Sequence, residues 1–230
     1  MSGRSPRWFT GIQYPYEANF ADNTWEQIID ACQRGAVPET WAVGNQKTMT
    51  INGKDYLIDI IGKNHDAYTS GGKAPLTFQL HNCYGERKKM NSSNTNKGGW
   101  TSCAMRRTHL PAILALMPTE VQNGIREVNK LTSAGSNSTT INTTADKLFL
   151  LSEVEIFGST IFSAAGEGTQ YDYYKAGHSK AKYRNGSAEA WWERSPDASG
   201  STGFCVVDID GFTDFDTANT ARDVAFAFCF

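Results

Sequence analysis

Alternating apolar and polar positions predict short antiparallel strands in the first third of the chain. Residues 47–51 and 54–61 flank Asn52-Gly53, and both of these turn residues tolerate a positive φ. The pattern therefore predicts a β-hairpin. A further strand is predicted over residues 76–80, where apolar residues dominate.

Helical periodicity is confined to short segments. Apolar residues recur at helical spacing from Trp25 to Cys32, Asn23 followed by Glu26 fits a capping box, and Gly35 suits a helix end. These signals predict a short amphipathic helix. The predictions that follow along the chain are a helical stretch at 101–116 interrupted at Pro111, a strand at 124–131, a Ser/Thr/Asn surface loop at 132–145, a strand at 147–151, a short helix at 169–176 and a basic loop at 177–189.

The chain is predicted to end in packed antiparallel strands. Strands at 203–209 and 223–230 are separated by the turn signal Asp210-Gly211. One face of the last strand is apolar throughout, and it consists of Val224, Phe226, Phe228 and Phe230. Short strands mixed irregularly with two or three helices indicate an α+β fold and not a parallel βαβ sheet.

Length and composition fit one globular domain. The 230 residues are 40% hydrophobic and 20% charged, and the net charge of −2 gives no nucleic-acid signature. We expect no membrane insertion, because no apolar run is long enough, and no signal peptide. We interpret residues 1–22 as an N-terminal arm or attachment segment and residues 23–230 as the domain.

The five cysteines are an odd number without a CxxC pair, which disfavours a disulfide framework and a zinc site. Most are expected to be buried thiols. Cys205 and Cys229 lie in the two C-terminal strand candidates and could be neighbours.

Residues 196–230 differ in composition from the rest of the chain. They contain no Lys, Glu, Gln, Met or Trp, and six Asp against one Arg give them a charge of −5. In an extended chain one parity would face outward, and it holds Val206, Asp208, Asp210, Phe212, Asp214 and Asp216, whereas Cys205, Val207 and Ile209 would face inward. Exposed aromatic rings and clustered like charges both cost stability, so the pattern indicates a recognition surface. The alternative is a solvated turn with the two Phe side chains in the core.

Other constellations point less clearly to chemistry. Calcium could bind the Asp-rich segment, but Phe212 occupies a position where an EF-hand-like loop needs an oxygen ligand. Glu153, Glu155 and Glu167 could supply a carboxylate pair for hydrolysis, or Glu153 and Glu155 could belong to a buried polar network or a helix cap. Trp191-Trp192 could form a sugar platform, but such a pair entering the last strands is more typical of a core. No cofactor and no metal are expected.

Several longer motifs together resemble a family of domains of unknown function. Its members occur in phage tail and minor structural proteins and in related bacterial proteins. The resemblance runs from about Trp25 to the end of the chain, on the motifs WAVGNQKTMTINGKDY (41–56), GGWTSCAMRR (98–107), NKLTSAG (129–135), KLFLLSEVEIFG (147–158), EGTQYDYY (167–174), WWERSP (191–196) and AFCF (227–230).

At fold level this family resembles the C-type-lectin-like domains of phage tropism determinants and other variable proteins of diversity-generating retroelements. The resemblance implies a C-type-lectin-like ligand-binding domain at 23–230, with antiparallel hairpins, two or three short helices, a buried C-terminal strand and a variable region at 196–230. In such proteins, adenine-directed mutagenesis of AAC-like codons cannot produce the five residue types absent here. The implied ligand-binding residues are Asp197, Gly200, Gly203, Val206, Asp208, Asp210, Phe212, Asp214, Phe215, Asp216, Asn219, Arg222 and Asp223.

The implied function is receptor binding by an adhesin. The expected partner is a protein or glycan receptor on a target cell, the expected location is a phage tail or a cell surface, and a homo-oligomer is compatible with both. Two alternatives stay open. One is an enzyme on a related formylglycine-generating-type scaffold, which would need a paired-thiol site, and the other is a purely structural tail component.

Overall fold

The computed structural model describes residues 16–230 of the chain. Its helices are α1 (Trp25–Arg34), α2 (Gly99–Ser102), α3 (Leu110–Leu114), α4 (Thr119–Gly124), α5 (Glu153–Phe157) and α6 (Asp172–Lys175), with a 3₁₀ turn at Phe20–Asp22 and a π-helical turn at Met105–His109. Its strands are β1 (Gln46–Ile51), β2 (Lys54–Lys63), β3 (Leu76–Leu80), β4 (Lys88–Lys89), β5 (Val128–Ser133), β6 (Ile141–Asp146), β7 (Leu148–Phe149), β8 (Lys182–Arg184), β9 (Ser187–Glu189), β10 (Trp191–Pro196), β11 (Gly203–Val207), β12 (Thr213–Thr217), β13 (Ala221–Arg222) and β14 (Ala227–Cys229). Several small antiparallel sheets and a few helices confirm the predicted α+β class.

The main sheet has the strand order β1-β2-β3-β14-β7 and is antiparallel throughout. The predicted hairpin of β1 and β2 is confirmed, with Asn52 and Gly53 at φ values of 49° and 75° in its turn. The last strand, β14, lies between β3 and β7, and Phe228 stacks on Phe78 with ring centroids 5.2 Å apart. The predicted burial of the chain end is therefore confirmed.

Helix α1 begins one residue later than the sequence predicted. Thr24, and not Asn23, is the N-cap, and it forms a reciprocal capping box with Gln27 instead of Glu26. Gly35 ends the helix in the left-handed region at φ 64°, as predicted. The Asn23 side chain instead hydrogen-bonds the preceding turn, including the Phe20 carbonyl oxygen.

The predicted boundary between an arm and the domain falls too late in the chain. Tyr16 packs edge-on against Trp41, and the buried Phe20 contacts both Trp41 and Phe78. Residues from 16 onward are thus part of the domain. The remainder of the predicted arm, residues 1–15, lies outside the described residues.

Three predictions in the middle of the chain are corrected. The predicted strand at 124–131 is shorter than expected: Gly124 still belongs to α4, and β5 begins only at Val128. The predicted loop at 132–145 contains the end of β5 and most of β6, which pair with each other. The predicted loop at 177–189 contains the β8–β9 hairpin, whose turn residues Asn185 and Gly186 both have positive φ. Asn-Gly is the strongest short hairpin signal, but the Lys and Arg residues around it masked the alternation.

A second sheet, with the order β10-β11-β12, carries the Asp-rich segment. Trp191 and Trp192 begin β10 and are fully buried, which confirms that this pair belongs to the core. β11 is the central strand of this sheet, and β12 is its edge. Among residues 16–230, no helix is both long and apolar enough to cross a membrane.

Candidate functional site

Four large apolar side chains are exposed around the hairpin of β11 and β12. Ile209 and Phe212 lie in its turn and are 54% and 68% exposed, Phe215 on β12 is 44% exposed, and Ile161 on a neighbouring loop is 60% exposed. The exposure predicted for the two Phe residues is confirmed. We define the acidic aromatic surface as these four residues together with Asp208, Asp210, Asp214 and Asp216.

The turn of this hairpin is held by its first aspartate. One carboxylate oxygen of Asp208 accepts the backbone N–H groups of Asp210 and Phe212, at 2.9 and 2.8 Å. Gly211 has a φ of 86° and lies against another segment, since a Cβ there would come within 3.0 Å of the Ala181 nitrogen. The exposed Phe212 is therefore presented from a fixed backbone.

A buried carboxylate braces the hairpin against the loop that carries Ile161. Glu153 accepts the backbone N–H groups of Ile161, Phe162 and Ser163 at 2.8–3.0 Å, and the hydroxyl of Thr213 at 2.6 Å. Burial disfavours its charged form, but the hydroxyl and N–H donors bring the pKa of Glu153 below its usual range. One buried anion thus fixes both halves of the acidic aromatic surface.

The same two halves also meet through their aromatic rings. Phe162, which is half-buried, lies 5.2 Å from Phe215 between ring centroids, in a tilted arrangement. The sequence prediction missed Ile161 and Phe162. A signal was present, because an apolar pair interrupts the small and polar stretch 158–166, where a loop would ordinarily be polar.

Two aspartates cover the open edge of β12. Two hydrogen bonds show which residues of β12 point their N–H groups toward β11: the Asp208 N–H donates to the Phe212 carbonyl oxygen, and the Ala218 N–H donates to the Thr202 carbonyl oxygen. Because this direction alternates along an antiparallel strand, the N–H groups of Phe215 and Thr217 point away from β11. Each of these N–H groups donates to the aspartate that precedes it in the chain. The distances are 2.8 Å to Asp214 and 2.7 Å to Asp216.

Asp216 carries a further interaction. Arg222 pairs with its second carboxylate oxygen at 2.6 Å. The remaining aspartates of the acidic aromatic surface have no basic partner among the described residues. The surface therefore keeps an excess of negative charge.

The structure divides the predicted ligand-binding residues into two groups. The exposed or half-buried ones are Gly200, Asp208, Asp210, Phe212, Asp214, Phe215, Asp216, Asn219 and Arg222. The buried ones are Asp197, Gly203, Val206 and Asp223. A ligand on the surface does not reach the second group, so these four assignments are corrected.

The two buried aspartates have structural partners. Asp197 accepts the N–H and the hydroxyl of Ser199 and so caps a turn. Asp223 accepts hydrogen bonds from Arg87 at 3.0 Å and from Arg184 at 2.6 Å. A buried carboxylate held by two guanidinium groups joins three segments of the chain.

The alternation of side chains along the chain predicted the wrong exposure for Val206 in β11 and for Ile209 in the turn that follows. Val206, expected to face outward, is only 3% exposed, whereas Ile209, expected to face inward, is exposed. β11 has a neighbouring strand on each side and packing on both faces, so all five of its residues are buried. Parity separates inside from outside only where one face of a strand is solvated.

Burial also accounts for part of the unusual composition of 196–230. All residues of β11 and all of 223–230 are buried. Long charged side chains are rare at such positions. The missing Lys, Glu and Gln therefore carry information about a variable region only in the exposed stretches 198–202 and 208–222.

A network of charged side chains occupies the core beneath the second sheet. Lys130 lies 2.7 Å from both Asp66 and Glu155, Arg194 donates to Glu155, and the Tyr171 hydroxyl donates to Asp66. Burial would raise the pKa of Asp66, but Lys130 holds it at about 2. Each of these charges has a partner of opposite charge, and the interpretation of Glu155 as part of a buried network is confirmed. The sequence analysis did not identify Asp66 or Lys130, because an isolated charge in a loop or a strand looks like a surface residue.

One buried carboxyl group has no such partner. Both oxygens of Glu193 in β10 lack a hydrogen-bond donor within the described part of the chain. Burial raises its pKa well above the usual value, and the nearby carboxylates of Glu153 and Glu167 raise it further. Both effects favour the protonated form of Glu193 in the folded protein.

Cys205 and Cys229, the candidate pair for the enzyme alternative, are not joined in the described structure. Cys205 lies on β11 and Cys229 on β14, which belong to different sheets, and both are buried free thiols. Burial raises the pKa of each thiol well above its usual range. Within residues 16–230, no group of three or more His, Cys, Asp and Glu side chains is arranged to hold a metal ion.

The chain belongs to a family described as a domain of unknown function, DUF6273, whose model matches residues 54–229. The match covers both sheets except β1 and includes the whole acidic aromatic surface. A search of curated proteins and a search of solved structures found no match.

Proposed function

We propose that this protein is a receptor-binding protein that recognises its partner through the acidic aromatic surface. The observation that carries the proposal is the exposure of Ile209, Phe212 and Phe215 on a braced hairpin and of Ile161 on the loop beside it. Large apolar side chains grouped on a surface typically mark an interaction site. Rigid presentation lowers the ordering cost of binding, and Glu153 supplies that rigidity here.

The charge of this surface selects the chemistry of the partner. Asp208, Asp210 and Asp214 have no basic partner among the described residues, so a complementary surface would carry Lys or Arg beside apolar side chains. A protein receptor with a cationic, partly apolar patch fits this description. The apolar residues would supply anchors, and the aspartates would raise the association rate.

The resemblance to phage tail and retroelement variable proteins supports the same class of function. In that setting the protein is an adhesin on a phage tail or a cell surface, and the exposed stretch 208–222 is its variable region. The C-type-lectin-like fold belongs to this proposal. The α+β architecture and the buried terminal strand β14 are compatible with it.

A binding assay with matched variants tests the proposal. Fluorescently labelled protein is added to a panel of bacterial cells, and adsorption is compared between wild type, the double variant F212S/F215S and the control L116S/L131S. The control removes two leucines that are 43% and 38% exposed elsewhere. We expect adsorption to one or more strains, lost in F212S/F215S and kept in L116S/L131S. Equal adsorption by all three proteins would refute the assignment of the surface.

Sequencing the gene across a population of its source tests the variable-region part separately. We expect nucleotide variation at AAC-like codons of exposed positions such as Asp210, Phe212 and Asn219, and none at the buried Val206 and Asp223. A uniform gene would remove diversification from the proposal and leave a fixed adhesin.

A further inference from the structure

A groove lined by none of the residues of the acidic aromatic surface has the opposite charge. It measures about 570 Å³ and is lined by residues of two segments, 91–97 and 102–108. Its lining contains two cations and several hydroxyl groups but no carboxylate, and the residues that matter are Ser92, Ser93, Lys97, Ser102, Arg107 and Thr108. We call it the basic groove.

The basic groove lies in the most cationic part of the chain. Residues 87–109 contain six Lys and Arg residues and no Asp or Glu, in a protein whose net charge is −2. Arg87 and Arg106 are paired with carboxylates of other segments, and Lys88 is paired with Glu86, which lies two residues before it. Lys97 and Arg107 are exposed and have no carboxylate partner within residues 16–230. Two charges are therefore free to bind an anion.

The walls of the groove are held by buried and half-buried amides. Asn91 donates to the Thr95 carbonyl oxygen at 2.7 Å and accepts the Ala104 N–H at 3.1 Å, which ties the two segments together. The buried amide of Asn96 donates to three carbonyl oxygens of the 197–203 loop. Lys97 and the groove hydroxyls thus project from a fixed backbone.

We propose that the basic groove binds a tetrahedral oxyanion, phosphate or sulfate, either free or as an ester on a polymer. The planar guanidinium of Arg107 matches two oxygens of such an anion, and Lys97 supplies a point charge. The hydroxyls of Ser92, Ser93 and Thr108 can donate to the remaining oxygens. The lining contains no aromatic ring, so single-stranded nucleic acid would lack a platform for base stacking. This site shares no residue with the proposed receptor surface, and the proposal does not depend on that surface.

Calorimetric titration tests the proposal with five probes: a heparin oligosaccharide, the same oligosaccharide after desulfation, inorganic sulfate, inorganic phosphate and single-stranded DNA. The variants are R107A, K97A and the control K175A, which removes an exposed lysine outside the groove. We expect the sulfated oligosaccharide to bind and the desulfated one not to bind. R107A should weaken binding by about tenfold, because one charge-assisted contact is lost, whereas K175A should bind like wild type.

The inorganic ions identify the source of the anion. Competition by either ion at millimolar concentration supports a site for a free oxyanion, and binding of the oligosaccharide without such competition supports an ester on a polymer. Equal affinities of R107A and K175A would overturn the proposal. Binding of single-stranded DNA that all three variants weaken equally, without a specific effect of Arg107, would also overturn it, since it would report general electrostatic attraction.

Discussion

Replacement of Glu193 by Gln tests whether a protonated carboxyl group is buried in the second sheet. No donor among residues 16–230 bonds the carboxyl group of Glu193, and burial together with the nearby Glu153 and Glu167 raises its pKa well above 4.5. Arg194 and Glu155 are the other charged groups that act on it, and Arg194 lowers the pKa. Gln has nearly the same shape and is neutral at every pH, so E193Q removes only the titration.

The sign of the effect follows from proton binding. Below pH 4.5, the ordinary pKa of this group, Glu193 is protonated in both the folded and the unfolded chain, and wild type and E193Q should differ little. Above that pH the unfolded chain loses the proton while the folded chain keeps it. The free energy of unfolding of wild type should therefore fall relative to E193Q by about 1.4 kcal/mol per pH unit, until the pH reaches the raised pKa of the folded state.

The assay is urea unfolding of both proteins from pH 4.5 to pH 8. The difference between them isolates Glu193, because Asp66 and other groups that titrate in the opposite direction are present in both proteins. E39Q serves as the control for the substitution itself, because Glu39 is exposed. A difference between wild type and E193Q that does not change with pH would show that Glu193 is ionised in the folded protein and would refute the reasoning.

Two further predictions concern stability and are checked by the same unfolding assay. R194K should lose about 3–5 kcal/mol, because a lysine cannot serve the carboxylate and carbonyl groups that the buried Arg194 joins, whereas R107K on the surface should change stability by less than about 0.5 kcal/mol. G135A should lose more than about 2 kcal/mol, because Gly135 has a φ of 70° and a Cβ there would lie 1.9 Å from the Asn96 carbonyl oxygen. G177A has a positive φ but open space around it and should lose only about 1 kcal/mol. Equal losses in either pair would contradict these assignments.

The predictions that succeeded rest on local physical rules. Asn52-Gly53 forms a tight turn, and Gly35 ends α1. The apolar face of 223–230 is buried in any compact fold, because its exposure to water would be unfavourable. Each of these features acts within a few residues of itself. The α+β class follows from them because short hairpins cannot build a parallel sheet.

The predictions that failed required knowledge of neighbours. Val206 was placed outside because alternation along the chain does not reveal that β11 has strands on both sides. The resemblance implied that Asp223 binds a ligand, but its carboxylate pairs with Arg87 and Arg184, and nothing in the local sequence indicates these distant partners. Glu153 was placed in a buried network or cap, and its role in bracing the candidate surface depends on Thr213, 60 residues away.

The aspartates of 208–216 show how one surface can serve structure and recognition together. Asp208, Asp214 and Asp216 each accept a backbone N–H close to them in the chain, at the turn and along the edge of β12. Asn, Ser and Thr make the same kind of local bond with a different charge. Exchange among these residue types, all of which an AAC-like codon can reach under the proposed diversification, would keep the turn and the protected edge while altering the electrostatic surface. An exchange at Val206 would change the core instead, because that side chain has no solvent to enter.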